Sequence, residues 1–323
     1  MSHLKVIKGG LLSTVQDLGR PGSRKFGVNP GGVMDRRSAI IANGLAGNEP
    51  SAAVIEMHFP AAEIEFGDQR IFAIGGADLG ATLDGVPISN WRCHRALPGC
   101  LLRFEGKILG ERAYLAVNGG LMADEWLGSR STNLAAGIGG YNGRPLQIGD
   151  VVQLQEPTIY EGTSLGHQIA AHSLVPHYSR FPTLRVIAGP EYSILSSAGR
   201  AALSEQTFTL THASDRMGFR LQGEPIESGN QPEMVSSAVT YGTVQLLPDG
   251  QLIILMADHQ TAGGYPRVAQ IIDHDLPVAA QLGGGGKLCF HFVSIAEAEA
   301  LRCKIEDDLA RFRVGCKLRA LVR

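Results

Sequence analysis

The chain has 323 residues, of which 44% are apolar and 19% charged, and its formal net charge is −2. The length predicts two domains, the near-neutral charge argues against the basic surface of a duplex nucleic-acid binder, and the apolar content argues against disorder. Glycine is the unusual residue, because 41 glycines are about one residue in eight against a usual share of about 7%, which predicts many tight turns.

Helical periodicity is scarce. A short helix is predicted over residues 35–45, and a second one follows Pro190. Near the C-terminus, Ser294 precedes Glu297 by three residues, which predicts a capping box. The helix that follows has apolar residues at helical spacing, namely Ala298, Leu301, Ile305, Leu309 and Phe312.

Most of the remaining chain consists of short apolar or alternating runs bounded by turn residues, which predict strands. They cover residues 54–56, 71–74, 113–117, 151–154, 244–247, 252–256 and 288–292. We therefore expect a mainly β protein with a few helices, and closed barrels would remove the edges that short strands otherwise expose.

A sequence repeat suggests two related β units. The pattern Gly-x-x-Leu-x-Gly-x-Pro-Ile starts at Gly80 and again at Gly218, and two further pairs of segments keep nearly the same offset. The predicted organisation is a first domain at residues 1–155, a linker at 156–182, and a second domain at 183–323 that includes the C-terminal helix.

The sequence also predicts a cytoplasmic protein. No stretch approaches the ~18 uninterrupted apolar residues of a membrane helix. The five cysteines form no C-x-x-C pair, so reduced thiols are expected rather than a disulfide framework or a zinc ribbon.

Two further patterns are interpreted as structural. The glycine run at residues 283–286 lacks the spacing of a phosphate loop, so a turn into the last strand is predicted. His167, His172 and His177 share no strand or helix face, so we expect solvated histidines and no metal site.

The candidate functional residues are polar side chains in glycine-dense turns. Arginine can bind a carboxylate, carbamate or phosphate through a fork of N–H groups, aspartate can act as a base, and glycine amides can hold an anion. These segments are TVQDLGR at 14–20, PGGVMD at 30–35, NGG at 118–120, GSRST at 128–132, SDRMG at 214–218 and DHQTAGGYP at 258–266.

Seven ordered motifs closely resemble the biotin-dependent carboxyltransferase family, within a match from about Val6 to Phe292. They are TVQDLGR at 14–20, GGVMD at 31–35, AN at 42–43, GGAD at 75–78, LGSRST at 127–132, SDRMG at 214–218 and D-x-QT-x-GGYP at 258–266. That family includes allophanate hydrolase subunit 2, the antagonist of the sporulation kinase inhibitor, and the C subunit of bacterial 5-oxoprolinase. The resemblance implies two tandem cyclophilin-like β-barrel domains.

The resemblance also implies an ATP-dependent reaction in a complex, in which 5-oxoproline is opened to glutamate. It implies a companion subunit resembling the sporulation kinase inhibitor and a third subunit resembling a lactam-utilisation protein. ATP would be used by the complex, and the sequence does not identify which subunit binds it. One alternative is transfer of a carboxyl group from carboxybiotin to a urea-like amide, with biotin attached to another chain. Another is a non-catalytic regulatory protein that binds a kinase-inhibitor-like partner.

On this resemblance we expect a pocket in each domain, with an arginine holding an anionic group and an aspartate assisting proton transfer. The predicted catalytic residues are Asp17, Arg20, Asp35, Asp78, Arg130, Asp215, Arg216 and Asp258. The predicted substrate-binding residues are Asn118, Gly119, Gly120, Ser129, Gln245, Gln260, Thr261, Gly263, Gly264 and Tyr265.

The chain departs from the family pattern at three places in its second half. Ser236-Ser237-Ala238 stands where the pattern usually has Ser-Glu-Gly, and Thr261-Ala262 stands where it has Thr-Thr. The four glycines at 283–286 replace the usual Arg-Pro-Gly-Asp.

Overall fold

The computed structural model describes residues 2–157, 168–229 and 234–321, with side chains described up to residue 318. The chain forms two compact units. The first unit comprises Met1–Arg20, Gly31–His177 and Glu306–Arg323, and the second comprises Pro21–Pro30 and Tyr178–Ile305. Each unit therefore takes a segment from a distant part of the chain. The predicted limits at residues 155 and 182 stay predictions.

The first unit contains two sheets. The six-stranded sheet has the order β11-β1-β4-β9-β6-β7 and the five-stranded sheet has the order β2-β3-β10-β5-β8. The strands are β1 (His3–Lys8), β2 (Ser13–Gln16), β3 (Val54–His58), β4 (Glu63–Phe66), β5 (Arg70–Asp78), β6 (Ala81–Leu83), β7 (Val86–Pro87), β8 (Cys93–Ala96), β9 (Leu101–Phe104), β10 (Leu109–Val117) and β11 (Val151–Gln153).

The two sheets of the first unit share one apolar core. Leu4 and Ile64 contribute from the six-stranded sheet, and Ile55 and Leu115 contribute from the five-stranded sheet. In β4 the buried residues alternate with partly exposed ones, as expected for a strand with one face against a core.

Helix α1 (Arg36–Ala46) packs on the five-stranded sheet of the first unit. The prediction of a helix at 35–45 is confirmed, with Asp35 as the N-cap and Gly47 in the left-handed conformation at the C-cap. The helix approaches β5 so closely that a Cβ atom on Gly75 would lie 2.6 Å from the Ser38 carbonyl oxygen. Glycine at this position allows the helix to contact the sheet.

The second unit is built on a closed barrel with the order β12-β19-β16-β17-β14-β13-β20, closed by parallel pairing of β12 with β20. This confirms the expected mainly β fold with a barrel. The elements are β12 (Thr183–Ala188), α2 (Ser197–Glu205), β13 (Phe208–Leu210), β14 (Gly218–Gln222), β15 (Ser237–Ala238), β16 (Thr243–Leu246), β17 (Leu252–Leu255), β18 (Ala262–Gly263), β19 (Arg267–Ile271), α3 (Leu276–Ala279) and β20 (Lys287–Phe292).

The C-terminal helix α4 (Ile295–Leu321) begins at the predicted capping box. The Ser294 amide donates to Glu297 Oε2 at 2.8 Å, and the Glu297 amide donates to Ser294 Oγ at 3.2 Å. All five residues of the predicted apolar face are partly buried. In the first unit Phe312 contacts α1, where a Cβ atom on Gly44 would lie 2.6 Å from its ring.

The sequence repeat does not correspond to equivalent strand pairing. The first copy lies on β6, which pairs with β7 and β9, whereas the second lies on β14, which pairs with β13 and β17. Gly85 has φ 79° in the β6–β7 turn, but its counterpart Gly223 lacks a positive φ. The shared pattern therefore produces two different local structures.

The other structural predictions concern the glycine run, the cysteines, the histidines and membrane helices. The run at 283–286 is a turn into β20, in which the Gly286 amide donates to the Gly283 carbonyl at 2.9 Å. All five cysteines lie within the described residues and none forms a disulfide. His172 and His177 are exposed, whereas His167 lies outside the described residues. Within the described ranges, no helix is long and apolar enough to cross a membrane.

An acid-sensitive ion pair stabilises the second unit at the start of α3. Arg185 donates to both carboxylate oxygens of Asp275, at 2.9 and 2.5 Å. Burial alone would raise the pKa of Asp275, but hydrogen bonds from His274 and Arg185 outweigh burial and lower the pKa to about 2. Since the pKa of an unfolded aspartate is about 3.9, this pair stabilises the folded state by about 2.6 kcal/mol at pH values well above 4.

We expect Asp275→Asn to lower the free energy of unfolding by about 2.6 kcal/mol at pH 7, because the ionised partner of Arg185 is lost. The stabilisation disappears as the pH falls from about 4 to about 2, so variant and wild type should converge there. Denaturant unfolding at pH 7 and pH 2.5 measures both values. Asp273→Asn changes an exposed neighbouring aspartate and is the control. A variant that stayed equally destabilised at pH 2.5 would contradict the assignment.

Candidate functional site

A pocket of about 660 Å³ in the second unit brings together several of the predicted site residues. It lies beside β14, β16 and β17 and is lined by both polar and apolar groups. Four of the predicted residues line it, namely Asp215, Gln245, Gln260 and Tyr265. Met217 of the SDRMG segment also lines it, as do Arg220 and Asp249, which lie outside the candidate segments.

Asp215 forms the turn that leads into β14. Its Oδ1 accepts hydrogen bonds from the amides of Met217 at 2.8 Å and Gly218 at 3.1 Å. Aspartate favours such turns because its short side chain can bond backbone amides two or three residues ahead. The turn places residues 215, 217 and 218 on the pocket wall.

Gln245 is the buried polar residue of the pocket. Its side chain is 1% exposed, and its Nε2 donates to the Tyr265 carbonyl at 3.1 Å. The buried Oε1 has no hydrogen-bond partner among the residues that the structure describes. A Cβ atom on Gly263 would lie 2.6 Å from Nε2, so a larger residue there would displace the amide. Gln245 is thus held by its Nε2 group, while its Oε1 acceptor is unpaired.

Arg216 and Asp258 form a largely buried ion pair behind the pocket wall. Arg216 Nε and Nη2 donate to the two carboxylate oxygens of Asp258 at 2.7 and 3.1 Å, and the side chains are 5% and 14% exposed. The Asp258 amide also donates to the Arg216 carbonyl at 2.8 Å. Because Asp215, Met217 and Gln260 line the pocket, this pair fixes two of the segments that form it.

Arg220 supplies the pocket with a positive charge. Its side chain is exposed, and among the described residues it has no ion pair or side-chain hydrogen bond. It lies two positions after Gly218 on β14, on the same face of the strand. That alternation is the sequence signal that could have identified Arg220 as a site residue.

His259 lies between two predicted site residues but is buried. Its Nδ1 is 2.5 Å from the Gln260 carbonyl oxygen. Burial lowers the pKa of this imidazole, so it is neutral at pH 7. His259 therefore supports the backbone that presents Gln260.

The remaining predicted residues of the second unit lie on a short two-stranded ladder. The Thr261 carbonyl accepts the Val239 amide at 3.3 Å, and Gly263 on β18 pairs with Ser237 on β15. Gly264 follows directly and is exposed. This ladder joins the DHQTAGGYP motif to the segment that departs from the family pattern.

In the first unit, Asp17 is the centre of a hydrogen-bonded cluster. Its carboxylate accepts from the hydroxyl groups of Ser129 and Ser131, both at 2.6 Å. It also accepts from the amides of Arg130 at 2.6 Å and Gly19 at 2.8 Å. The structure thus brings together the TVQDLGR and LGSRST motifs, and Asp17 holds them to each other.

The side chains of Arg20 and Arg130 lie in different environments. Arg20 is buried, donates to the Ser131 carbonyl, and lies 4.9 Å from the centre of the Trp126 ring. The Arg130 guanidinium is partly exposed and lies 3.5 Å from Glu125. Of these two arginines, Arg130 has the surface position suited to contact with another molecule.

Three other predicted positions of the first unit have structural contacts. Asp35 caps α1 by accepting the Ser38 amide at 3.0 Å. Asn118 is buried and donates to the Ala46 carbonyl at 2.7 Å. Gly119 has φ 90°, and a Cβ atom there would lie 2.5 Å from the Glu156 carbonyl oxygen.

Gly120 and Asp78 also lie in turns. Gly120 has φ 87° and follows β10. Asp78 is exposed at the end of β5, where it accepts the Gly80 amide at 3.0 Å. In the part of the chain that the structure describes, no hydrogen bond or ion pair joins Asp78 to Asp17. These contacts therefore do not place the predicted residues of the first unit in one pocket.

Comparison with known proteins identifies the relatives of this chain. A family model described as carboxyltransferase domain, subdomain A and B, matches residues 26–292. The 5-oxoprolinase C subunit of Haemophilus influenzae is 36% identical over 301 residues, which are 93% of this chain and 94% of that protein. The 5-oxoprolinase C subunit of Escherichia coli is 36% identical over 306 residues, which are 94% of this chain and 95% of that protein.

A solved structure shares the fold within a much larger protein. The crystal structure of the Kluyveromyces lactis urea amidolyase matches with a TM-score of 0.89 and 26% identity, over 96% of this chain and 20% of that one. The two proteins are thus similar in three-dimensional fold as well as in sequence. Since the family model covers most of the chain, the protein belongs to the carboxyltransferase family defined by subdomains A and B.

Proposed function

We propose that this chain is a subunit of an ATP-dependent 5-oxoprolinase, which opens the lactam ring of 5-oxoproline to give glutamate. The observation that carries the proposal is the 36% identity to two proteins named as the C subunit of 5-oxoprolinase, over more than nine-tenths of each chain. In this reaction water is added across the lactam C–N bond, and ATP hydrolysis drives the opening.

The pocket of the second unit provides suitable groups for this substrate. Arg220 would pair with the carboxylate of 5-oxoproline, since an arginine binds a carboxylate through two parallel hydrogen bonds. The Gln245 Oε1 atom would accept the lactam N–H. Asp215 would assist proton transfer, being the predicted aspartate that lines this pocket. Arg216 is engaged by Asp258, so its role is to position the pocket wall.

The proposed reaction requires partner subunits and a site for ATP in the complex. We propose a companion subunit resembling the sporulation kinase inhibitor, a third subunit resembling a lactam-utilisation protein, and ATP bound within the assembly. We also propose a cytoplasmic location, because a reducing compartment would maintain the five free cysteines as thiols.

The decisive experiment compares 5-oxoproline-dependent ATP hydrolysis by the purified companion subunits with and without this chain. Activity that needs this chain is expected. Identical rates in both reactions would contradict the proposal.

We expect Arg220→Met to reduce that activity at least tenfold, chiefly by raising KM, because loss of the carboxylate partner weakens substrate binding. Arg200→Met removes an exposed arginine on α2 outside the pocket and should leave the rate within twofold. Steady-state kinetics of the assembled complex measure both. If the two substitutions changed the activity equally, Arg220 would not be a substrate-binding residue.

A second candidate function is carboxyl transfer from carboxybiotin to a urea-like amide. The specific observation in its favour is the structural match to a urea amidolyase at a TM-score of 0.89. This function predicts turnover that depends on a carboxylated biotin carrier protein. No transfer under those conditions would count against it.

A further inference from the structure

A second cavity, of about 350 Å³, lies in the first unit and is lined by none of the predicted site residues. Its walls come from the end of α1, from the segment that begins at residue 168, and from residues 308–316 of α4. Leu45, Leu174 and Phe312 form apolar surfaces. Gln168 and Cys316 are among the polar groups that line it.

Gln168 is the unusual residue of this cavity. Its backbone is fixed at the edge of β8, because its carbonyl accepts the Cys93 amide at 3.0 Å. Its side chain is 3% exposed, and both the Oε1 and the Nε2 atom are buried without a hydrogen-bond partner among the described residues. Buried amides are normally paired, because an unmade hydrogen bond in the interior is costly. A donor and an acceptor without protein partners therefore lie together on a residue that lines this cavity.

The charges at the cavity do not require a charged ligand. Asp308 and Arg311 both line it and lie 4.0 Å apart as an ion pair on one face of α4. Their charges cancel, so recognition falls to the Gln168 amide and the apolar walls. An amide forms two parallel hydrogen bonds with a group that has an N–H donor and an acceptor side by side.

We propose that this cavity binds a small planar ring with adjacent N–H and acceptor atoms, a chemistry that lactams and purines share. The Gln168 Oε1 atom accepts from the ring N–H, and Nε2 donates to the ring acceptor. Leu45, Leu174 and Phe312 contact the apolar faces of the ring. This site is separate from the pocket of the second unit and does not depend on the activity proposed for it.

Cysteine alkylation tests the proposal on the full-length chain. Cys316 lines the cavity, whereas Cys303 is exposed on the same helix and does not. The alkylation rate of each is followed by mass spectrometry, with 2-pyrrolidone, 5-oxoproline or adenine present at millimolar concentration. We expect at least one ring to slow modification of Cys316 by threefold or more and to leave Cys303 unchanged. Protection by the lactams or by adenine identifies the ligand class. No protection by any ring would overturn the proposal.

Two matched comparisons isolate the role of the amide. N-methyl-2-pyrrolidone keeps the ring and the acceptor but lacks the N–H, so it should not protect Cys316. Gln168→Leu should abolish protection, and Gln153→Leu, which also changes a first-unit glutamine with a buried unpaired Oε1, should preserve it. Protection by the methylated ring, or protection that survives Gln168→Leu, would refute the assigned hydrogen bonds.

Gly315→Leu provides a variant that does not disturb buried groups. Gly315 lines the cavity, and a Cβ atom there meets nothing within 4 Å. A leucine should narrow the cavity while keeping the helix, so the ratio of Cys316 alkylation rates with and without ring should approach one. An unchanged ratio would place the binding elsewhere and overturn the proposal.

Discussion

Replacing Asp17 with alanine is expected to lower the free energy of unfolding by about 3 to 5 kcal/mol, the range for losing a buried hydrogen-bonded network. The carboxylate accepts from Ser129, Ser131, Arg130 and Gly19, so the substitution leaves four donors without their acceptor. Denaturant unfolding followed by circular dichroism measures the loss.

Asp78→Ala is the matched control for Asp17→Ala. It makes the same chemical change at an exposed carboxylate that accepts one amide, from Gly80. We expect a loss below about 1 kcal/mol, as for most surface substitutions. If Asp17→Ala unfolded at the wild-type denaturant concentration yet abolished the activity of the complex, Asp17 would be a catalytic group and not a structural one.

The Asp17 cluster illustrates what the sequence could and could not predict. Residue type and glycine density identify the motifs around Asp17 and Ser129. Their contact was not predictable, because it depends on a long loop returning to β2, where the Thr132 amide donates to the Val15 carbonyl at 3.0 Å. Local patterns identify polar residues in turns, whereas tertiary contacts decide whether those residues are available to a ligand.

The strands and helices were more predictable than the site. The capping box at Ser294 and the apolar face of α4 follow from local spacing, and both are present. No local pattern indicates that residues 306–323 belong to the first unit, because helical periodicity shows that a face is covered but not by what. Likewise Arg220 is absent from the predicted residues, because it lies two positions beyond the SDRMG motif and only strand alternation places it on the same face as Gly218.

Two departures from the family pattern lie directly opposite each other. Ala238, in the altered Ser-Ser-Ala segment, pairs with Ala262, which stands where the family has a threonine. Cross-strand neighbours have Cβ atoms about 5 Å apart, so these two positions are adjacent on the ladder. The two changes therefore alter one place beside Gly263, and Gln245 still packs against that glycine.

Arg216→Leu is expected to have the second large effect, a loss of about 3 kcal/mol in the free energy of unfolding, because it leaves the Asp258 carboxylate largely buried without its partner. The same substitution should reduce 5-oxoproline-dependent ATP hydrolysis by the complex at least tenfold, since the pair fixes Asp215 and Gln260 on the pocket wall.

A double-mutant cycle separates the interaction energy of Arg216 and Asp258 from the effect of each single substitution. Removing both charges, with Arg216→Leu and Asp258→Leu together, should be less destabilising than the sum of the two single changes, because no unpaired charge remains. The activity should stay low in the double variant, since the hydrogen bonds that orient the two wall segments are still absent. Strictly additive losses would show that the two side chains do not stabilise each other. Full activity in the double variant would show that the pair has no positioning role, and that the backbone hydrogen bond between Asp258 and Arg216 is sufficient to hold the pocket.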